Sequence, residues 1–477
     1  MAITAATQSR AAAVQAVTSA NYLDIQNDGW AKQYLPDLMA KEAEVFGKRT
    51  ISGFLSQVGA EESMAADQVI WSEQGRLHLS YKCEMNTVAS NTIDIVQNID
   101  GVAQTTDHGI RVGDQVLIAG GGQTITARVS VAGAGVNTIT VQPYGFATLA
   151  TANFVNGDDD CTILVFGSEN AKGESYLGGR SNKPSFTTFT NKPIILRDQY
   201  EVSGSDVAQI GWVEVSGEDG QNGYYWYLKA EGDTRSRFTD YCEMSMIESE
   251  KVHADSAIAL PTDGGAGTAG TEGLFSAIKE RGHQSSGVMG VNAATDLAEF
   301  DAILAEFDKN GAIEENMMFV NRATALAVDD MLASMNSYGA GGTSWGVFDN
   351  DEDMALNLGF SGFRRGSYDF YKSDWKYLND LATRGGINAA ATGGEAIRGV
   401  MIPAGVSSVY DQSLGKNLKR PFLHVRYRAS KLESRKFKTW VTGSVGAKTS
   451  DLDAMTMNFL SERCLVVQGA NNFMLLN

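Results

Sequence analysis

Residues Asn222 to Val252, NGYYWYLKAEGDTRSRFTDYCEMSMIESEKV, constrain this chain more than any other stretch. Apolar and small residues fall at Tyr224, Tyr227, Leu228, Phe238, Tyr241, Cys242, Ser245 and Met246. That three-and-four spacing puts side chains on one face of a helix. The opposite surface carries Lys229, Arg235, Arg237, Asp240, Glu243 and Glu250. At about 1.5 Å of rise per residue the segment reaches roughly 45 Å, long enough to back a whole sheet. Gly232 costs about 1 kcal/mol against alanine inside a helix, so a bend or a later start is open there. The alternative reading is an ordinary amphipathic surface helix.

A 477-residue chain is too long for one compact core, which implies about two to four domains. Hydrophobic residues at 43% and charged residues at 20% exclude a disordered or collagen-like chain. No apolar run approaches the roughly 18 residues of a membrane span. The start, MAITAATQSRAAAVQAV, lacks the basic and apolar blocks of a secretory signal, so folding in a cytoplasm is expected. The net charge of −18 opposes generic nucleic-acid binding through a basic face, although containing DNA without gripping it stays compatible. Cys83, Cys161, Cys242 and Cys464 are far apart and form no C-x-x-C pair, which points to buried free thiols.

From Met1 to about Glu62 the chain reads as an extended arm, whose Trp30, Tyr34, Leu38 and Phe46 would be buried on the rest of the chain or on a neighbour. GRLHLSYK, Gly75 to Lys82, alternates like a half-buried strand. Between about Asn86 and Phe166, β-branched runs separated by glycines predict an all-β barrel or sandwich inserted into a hairpin. Strand signals return from Phe186 to Val215, with Pro184 and Pro193 at edges. After the long helix come a glycine-rich loop, Pro261 to Gly273, and the short helix LFSAIKERG. Helix, strand and helix follow in LAEFDAILAEFDKNG, MMFVN and ATALAVDDMLASM, and FRRGSYDFYKSDW reads as a strand. This alternation predicts an α/β domain, and the region Gly385 to Gly394 reads as a mobile loop. PFLHVRYRAS, FKTWVTGSVGA and CLVVQGANNFMLL are strands that need the long helix as a partner layer.

Chemistry is sparse. His78, His108, His253, His283 and His424 stand singly, no G-x-S-x-G occurs, and no cysteine has a nucleophile's context. Gly265 to Gly270 matches G-x-G-x-x-G, but Pro261 and Asp263 interrupt the strand such a loop needs. Asp349, Asp351 and Asp353 imitate a calcium loop without its glycine or its final glutamate, since Met354 and Phe360 stand there. Solvated acid is the default there and at Asp158 to Asp160, with a loosely bound cation as the alternative. No catalytic residue, cofactor or metal site is expected. Lys416, Lys419, Arg420, Arg426, Arg428, Lys431, Arg435, Lys436 and Lys438 form a basic cluster that would line a sheet and meet an acidic surface of a neighbouring subunit, with phosphate contact as its rival.

ILRDQYEVSGS, Ile195 to Ser205, followed by the long helix, resembles the returning strand of the extended loop and the spine helix of tailed-phage major capsid proteins with the HK97 fold. LAEFDAILAEFDKNGAIEENMMFVNRATALAVDDML resembles that family's axial domain, FSGFRRGSYDFYKSDW the strand leaving it, and the tail ending LVVQGANNFML the last peripheral strands. Each motif is weak alone and their order is the specific part. Within that family the chain resembles the larger capsid proteins of large-genome phages, crAss-like ones included. The resemblance implies an α+β fold with an N-terminal arm at 1–62, an extended loop at 63–85 and 167–215, and an inserted β domain at 86–166. The peripheral domain would take 216–295 and 400–477, with the spine at 222–252, and the axial domain 296–399.

It further implies hexamers and pentamers closing an icosahedral head around double-stranded DNA, with assembly in the host bacterial cytoplasm and no membrane. Portal, scaffolding and decoration or head-fibre proteins are the expected partners. No residue pair matches the lysine–asparagine crosslink of some relatives, and no propeptide removal is expected. Interface candidates are Trp30, Tyr34, Phe46, Leu77, Leu79, Tyr81, Arg197, Asp198, Tyr200, Glu201, Arg426, Arg428, Lys431, Arg435 and Lys436. A phage tail or baseplate protein is the main alternative, and an α/β enzyme holding a nucleotide at Gly265 to Gly270 a remoter one.

Overall fold

The computed structural model describes residue 55 and residues 60–104, 108–133, 137–173, 186–205, 225–253, 270–311, 313–337, 362–391, 396–404, 406–411, 416–445 and 448–477. The chain divides into two compact units, one of Met1–Ala65, Ile194–Cys464 and Phe473–Asn477, the other of Ala66–Pro193 and Leu465–Asn472.

Strand β1 (Ala60–Met64) closes the N-terminal part of the larger unit. The smaller unit opens with β2 (Val69–Gln74) and continues as β3 (Ser80–Thr87), β4 (Thr92–Asn98), β5 (Asp114–Gly120), β6 (Gln123–Ala132), β7 (Thr138–Pro143) and β8 (Cys161–Ser168). The last six close into an antiparallel barrel in the order β3-β4-β7-β6-β5-β8. Period-two patterning drives the closure: Tyr81, Cys83 and Met85 of β3 point inward while Lys82 and Glu84 point out. Ile93, Ile95, Val116, Ile118, Val129, Ile139, Val141 and Ile163 are buried in the same core, each worth about 1.5–3 kcal/mol against exposure. Closure also removes the free edges that so apolar a sheet would otherwise expose. β5 turns into β6 through Gly121 and Gly122, whose φ angles of 55° and 76° are what a two-residue hairpin turn asks of both residues.

The sequence places this insert at 86–166, whereas the barrel runs from Ser80 to Ser168. The strand expected at Gly75 to Lys82 starts only at Ser80, because β2 has ended at Gln74 and Leu77 stands in a bend with 79% of its surface exposed. β2 pairs antiparallel with β9 (Phe186–Asn191), and Trp71 packs on Phe189 with ring centroids 6.2 Å apart.

Gly120 explains why the barrel tolerates Cys161. A Cβ at Gly120 would lie 2.2 Å from the Cys161 sulfur, so the thiol occupies the space a side chain would take. Gly120→Ala is therefore expected to destabilise the barrel by about 1–3 kcal/mol, and adding Cys161→Ala should return most of the loss. Urea midpoints of the two variants test this, and a wild-type midpoint for Gly120→Ala would show that no such close approach exists.

The larger unit continues with β10 (Ile194–Ser203), α1 (Tyr225–Glu248), α2 (Leu274–Arg281), β11 (His283–Ser285), α3 (Ala293–Asn310), β12 (Glu315–Val320) and α4 (Arg322–Ser337). Then come β13 (Gly362–Arg365), β14 (Tyr368–Asp374), α5 (Lys376–Asn379), α6 (Arg384–Ala390) and β15 (Gly399–Pro403). β16 (Val406–Asp411) and β17 (Lys416–Pro421) form a hairpin, followed by β18 (Leu423–Arg428), β19 (Lys438–Gly443), β20 (Ala454–Val467) and β21 (Met474–Leu476).

A five-stranded sheet runs β1-β18-β20-β10, and β19 pairs with β20 on the side opposite β10. α1 lies on it through Phe238 and Cys242, which meet Leu196, Phe437, Val441, Met457 and Phe459. The long helix expected over 222–252 thus forms over 225–248, with the side chains of Tyr224, Tyr227 and Leu228 outside the description. Tyr241, expected on the apolar stripe, is about half exposed, whereas Phe238 and Cys242 of the same helix are buried against the sheet.

The second sheet has the order β11-β21-β15-β12-β14-β13. α3 and α4 cover one face, burying Phe300, Phe307, Val328 and Met331 against Met318, Phe363 and Phe370. On the other face Trp375 packs between Phe319 and Phe275 of α2, at 6.2 and 6.1 Å. Asn292 caps α3 by accepting the Thr295 amide, and Gly311 ends it at φ 63°.

Three expectations need correction in this unit. The strand expected over FRRGSYDFYKSDW is a hairpin, β13 and β14, turned at Gly366 with φ 62°. The loop expected around Gly385 contains helix α6, held where Asn388 brackets the Ile397 backbone with bonds of 2.6 and 3.1 Å. β21, read as a last strand on the long helix's sheet, pairs instead with β11 and β15.

Candidate assembly surfaces

Of the residues singled out as contact candidates, Trp30, Tyr34 and Phe46 lie outside the described residues, as do Leu38 and most of the Gly265 to Gly270 loop. Leu77 is exposed, and Leu79 packs on the barrel core. Tyr81 is inside the barrel, where its hydroxyl accepts the Gly109 amide at 2.8 Å, so it is removed from any surface.

β10 carries the next four. Alternation turns Asp198 toward α1, where it meets Arg237 at 3.1 Å, and Tyr200 lies half-buried on the same side. Arg197 and Glu201 point to the helix-free face, with Ile195 beside them more than half exposed. Arg197 and Lys438 both lie over the Trp440 ring, 5.8 and 5.0 Å from its centroid. Among the described strands β10 ends its sheet, and a strand at such an edge offers backbone groups as well as these side chains.

The basic cluster finds its acid at home. Arg426 pairs with Glu62 at 3.0 Å, Lys436 with Glu61, Lys438 with Glu433, and Arg428 and Arg435 converge on the buried carboxylate of Glu462. Arg428 also donates to the Ala65 carbonyl at 3.1 Å. The acidic partner expected from a neighbouring subunit is therefore supplied for these five by β1, β20 and the turn before β19. Lys431 is exposed, and the side chains of Lys416, Lys419 and Arg420 lie outside the description. Sequence reasoning missed Glu61, Glu62 and Glu462; the legible signal was AEESM, an acidic pair in a short strand.

A buried polar knot sits where α1 hands over to α2. Glu272 is buried between Arg281 at 2.8 Å and Lys251 at 3.4 Å, and burial raises its pKa despite both cations. Burial pushes the thiols of Cys83, Cys161 and Cys464 up to about 12 and raises that of Cys242, so all four stay protonated and unreactive near neutrality. Among the described residues no group of three His, Cys, Asp or Glu side chains could hold a metal, and no described helix is long and apolar enough to cross a membrane. His283 contacts the Asn310 amide at 2.6 Å, and His424 is buried with its Nε2 accepting from Arg426 at 3.2 Å.

No family profile and no curated protein matches the chain. Solved structures similar to it include chains from phages. The capsid of the cyanophage P-SCSP1u is 8% identical, over 96% of this chain and 98% of that one, with a TM-score of 0.42. The mature capsid of bacteriophage PhiM1 is 9% identical over 92% and 91%, with a TM-score of 0.39. A chain from Mycobacterium phage Ogopogo is 10% identical over 94% and 97%, at 0.41.

Proposed function

We propose that this chain is the major capsid protein of a tailed double-stranded DNA phage, built on the HK97 fold. The observation that carries the reading is an order of elements. The β2–β9 pair brackets a barrel, β10 leads directly from that pair into a sheet backed by the 24-residue helix α1, and a separate sheet flanked by helices follows. In this reading 1–62 is the arm, β2 and β9 belong to the extended loop, and the barrel is the insert. The α1 sheet is the peripheral domain with its spine, and the six-stranded sheet, β21 included, is the axial domain.

Such a subunit needs surfaces that join unlike patches and close into rings, and it needs no active site. Hexamers and pentamers, enclosure of double-stranded DNA, and work with portal, scaffolding and decoration or head-fibre proteins belong to the same proposal. The −18 charge would keep packaged DNA from adhering to the inner wall. Electron microscopy of the full chain, expressed alone and with candidate scaffolding partners, tests it. Closed shells are expected, whereas open tubes or rings only would favour a tail or baseplate protein.

A further inference from the structure

The six-stranded layer carries two apolar patches, one on each of its helical coats. The first is the segment Leu381 to Ala391, LATRGGINAAA, whose single charge, Arg384, turns inward to Glu248 at 2.8 Å. Thr383 donates to the Tyr377 carbonyl at 2.7 Å, and Asn388 is fastened to Ile397. Gly386 approaches the Leu381 carbonyl so closely that a Cβ there would lie 2.2 Å from it, so the turn linking Leu381 to Ile387 is tight. Both are exposed, at 79% and 58%, on a segment held by the bonds of Thr383 and Asn388.

The second patch lies on the α3/α4 coat. Gly290, at φ 72°, sits against the Ala327 side chain, and Asp296 accepts the amides of Gly290 and Val291 at 2.9 and 3.2 Å. This holds the segment carrying Met289 and Val291 against α4 at Ala327, the residue after Leu326, and Met289, Val291 and Leu326 are all exposed. Asp330, one turn beyond Leu326 on the same helix face, is exposed; on the opposite coat, Lys376 is exposed at the start of α5. Neither is in an ion pair among the described residues.

We infer that the two patches are the two halves of one contact between successive copies of this chain, Leu381 and Ile387 of one copy seating against Val291 and Leu326 of the next, with Lys376 facing Asp330. Like patches on opposite coats of one sheet join head to tail, and a head-to-tail contact that repeats gives a ring where its rotation closes and an open filament where it does not. Opposite charges carried on the two coats, Lys376 on one and Asp330 on the other, set the direction and the partner. The inference rests on the capsid reading for what the ring becomes, and names the surfaces that hold it.

The test uses the full chain carrying Leu326→Asp or Ile387→Asp, both at exposed positions, with a thermal melt to show that each folds. Each variant alone should lower particle yield at least 10-fold, and an equal mixture should stop at dimers, since only one intact contact can form. Asp330→Lys should lower yield and Lys376→Asp in the same chain should restore it, a pair that still decides the matter if an aspartate variant does not fold. Shells at wild-type yield from both folded aspartate variants would overturn the contact and leave the capsid reading standing. Wild-type rings lost in both variants, with shells never seen, would support the contact and remove that reading. A wild-type chain that stays monomeric in light scattering would overturn both.

Discussion

Phe238→Ala should destabilise the larger unit by about 3–5 kcal/mol, the range for removing a fully buried aromatic ring and leaving a cavity. Phe238 is 1% exposed and its ring meets Phe437 at 5.5 Å and Phe459 at 5.9 Å, so three aromatic side chains lose their common contact at once. Among the described residues no neighbour is placed to fill the hole, because Cys242 and Met457 are already packed and the strands beneath are fixed by the β10–β20 and β19–β20 ladders. Since Phe238 sits at the centre of the described contacts between α1 and its sheet, the helix should detach from the sheet before the barrel melts. Denaturant titration with two probes, tryptophan fluorescence and far-ultraviolet circular dichroism, would then give an early transition absent from the wild type. A loss under 1 kcal/mol would mean that α1 is not seated on this sheet.

Glu462→Gln is the second large effect. The carboxylate is only 7% exposed and draws in the guanidinium groups of Arg428 and Arg435, which keep 25% of their surface in water. Removing the charge leaves two cations facing each other across a neutral amide. A loss of about 2–3 kcal/mol is expected, short of the ~3–5 kcal/mol of a fully buried pair because water still screens both arginines. Lys436→Ala is the control, since its bond to Glu61 is half exposed on both sides and should be worth under about 1 kcal/mol. Equal losses in the two variants would contradict the assignment of Glu462 as the organising acid of the cluster.

How much of this was legible depends on where periodicity is sharp. The barrel showed itself because nearly every strand alternates over six or more residues and glycine runs separate them. Its edges did not, because Leu77 and Leu79 continue the alternation of β3 into a bend that only the end of β2 creates. α3 was readable from Leu297, Phe300, Ile303, Leu304, Phe307 and its glycine stop. α6 was not, since Gly385 and Gly386 lower helix propensity and tertiary bonds from Asn388 and Arg384 supply what the local sequence lacks. The basic cluster was visible as composition, but its partners lie in β1 and β20, separated from it by hundreds of residues or by a strand pairing that no spacing rule reveals. Leu381 and Ile387 went unnoticed for a similar reason: exposure of an apolar side chain is a property of the folded surface.

A reconstruction of the assembled particle by cryo-electron microscopy bears most directly on what the chain is for. Closed shells of six- and five-membered rings are expected, with the β12 sheet nearest each ring axis and the α1 sheet at its rim. A particle without such rings, or rings with the α1 sheet at the centre, would contradict that arrangement.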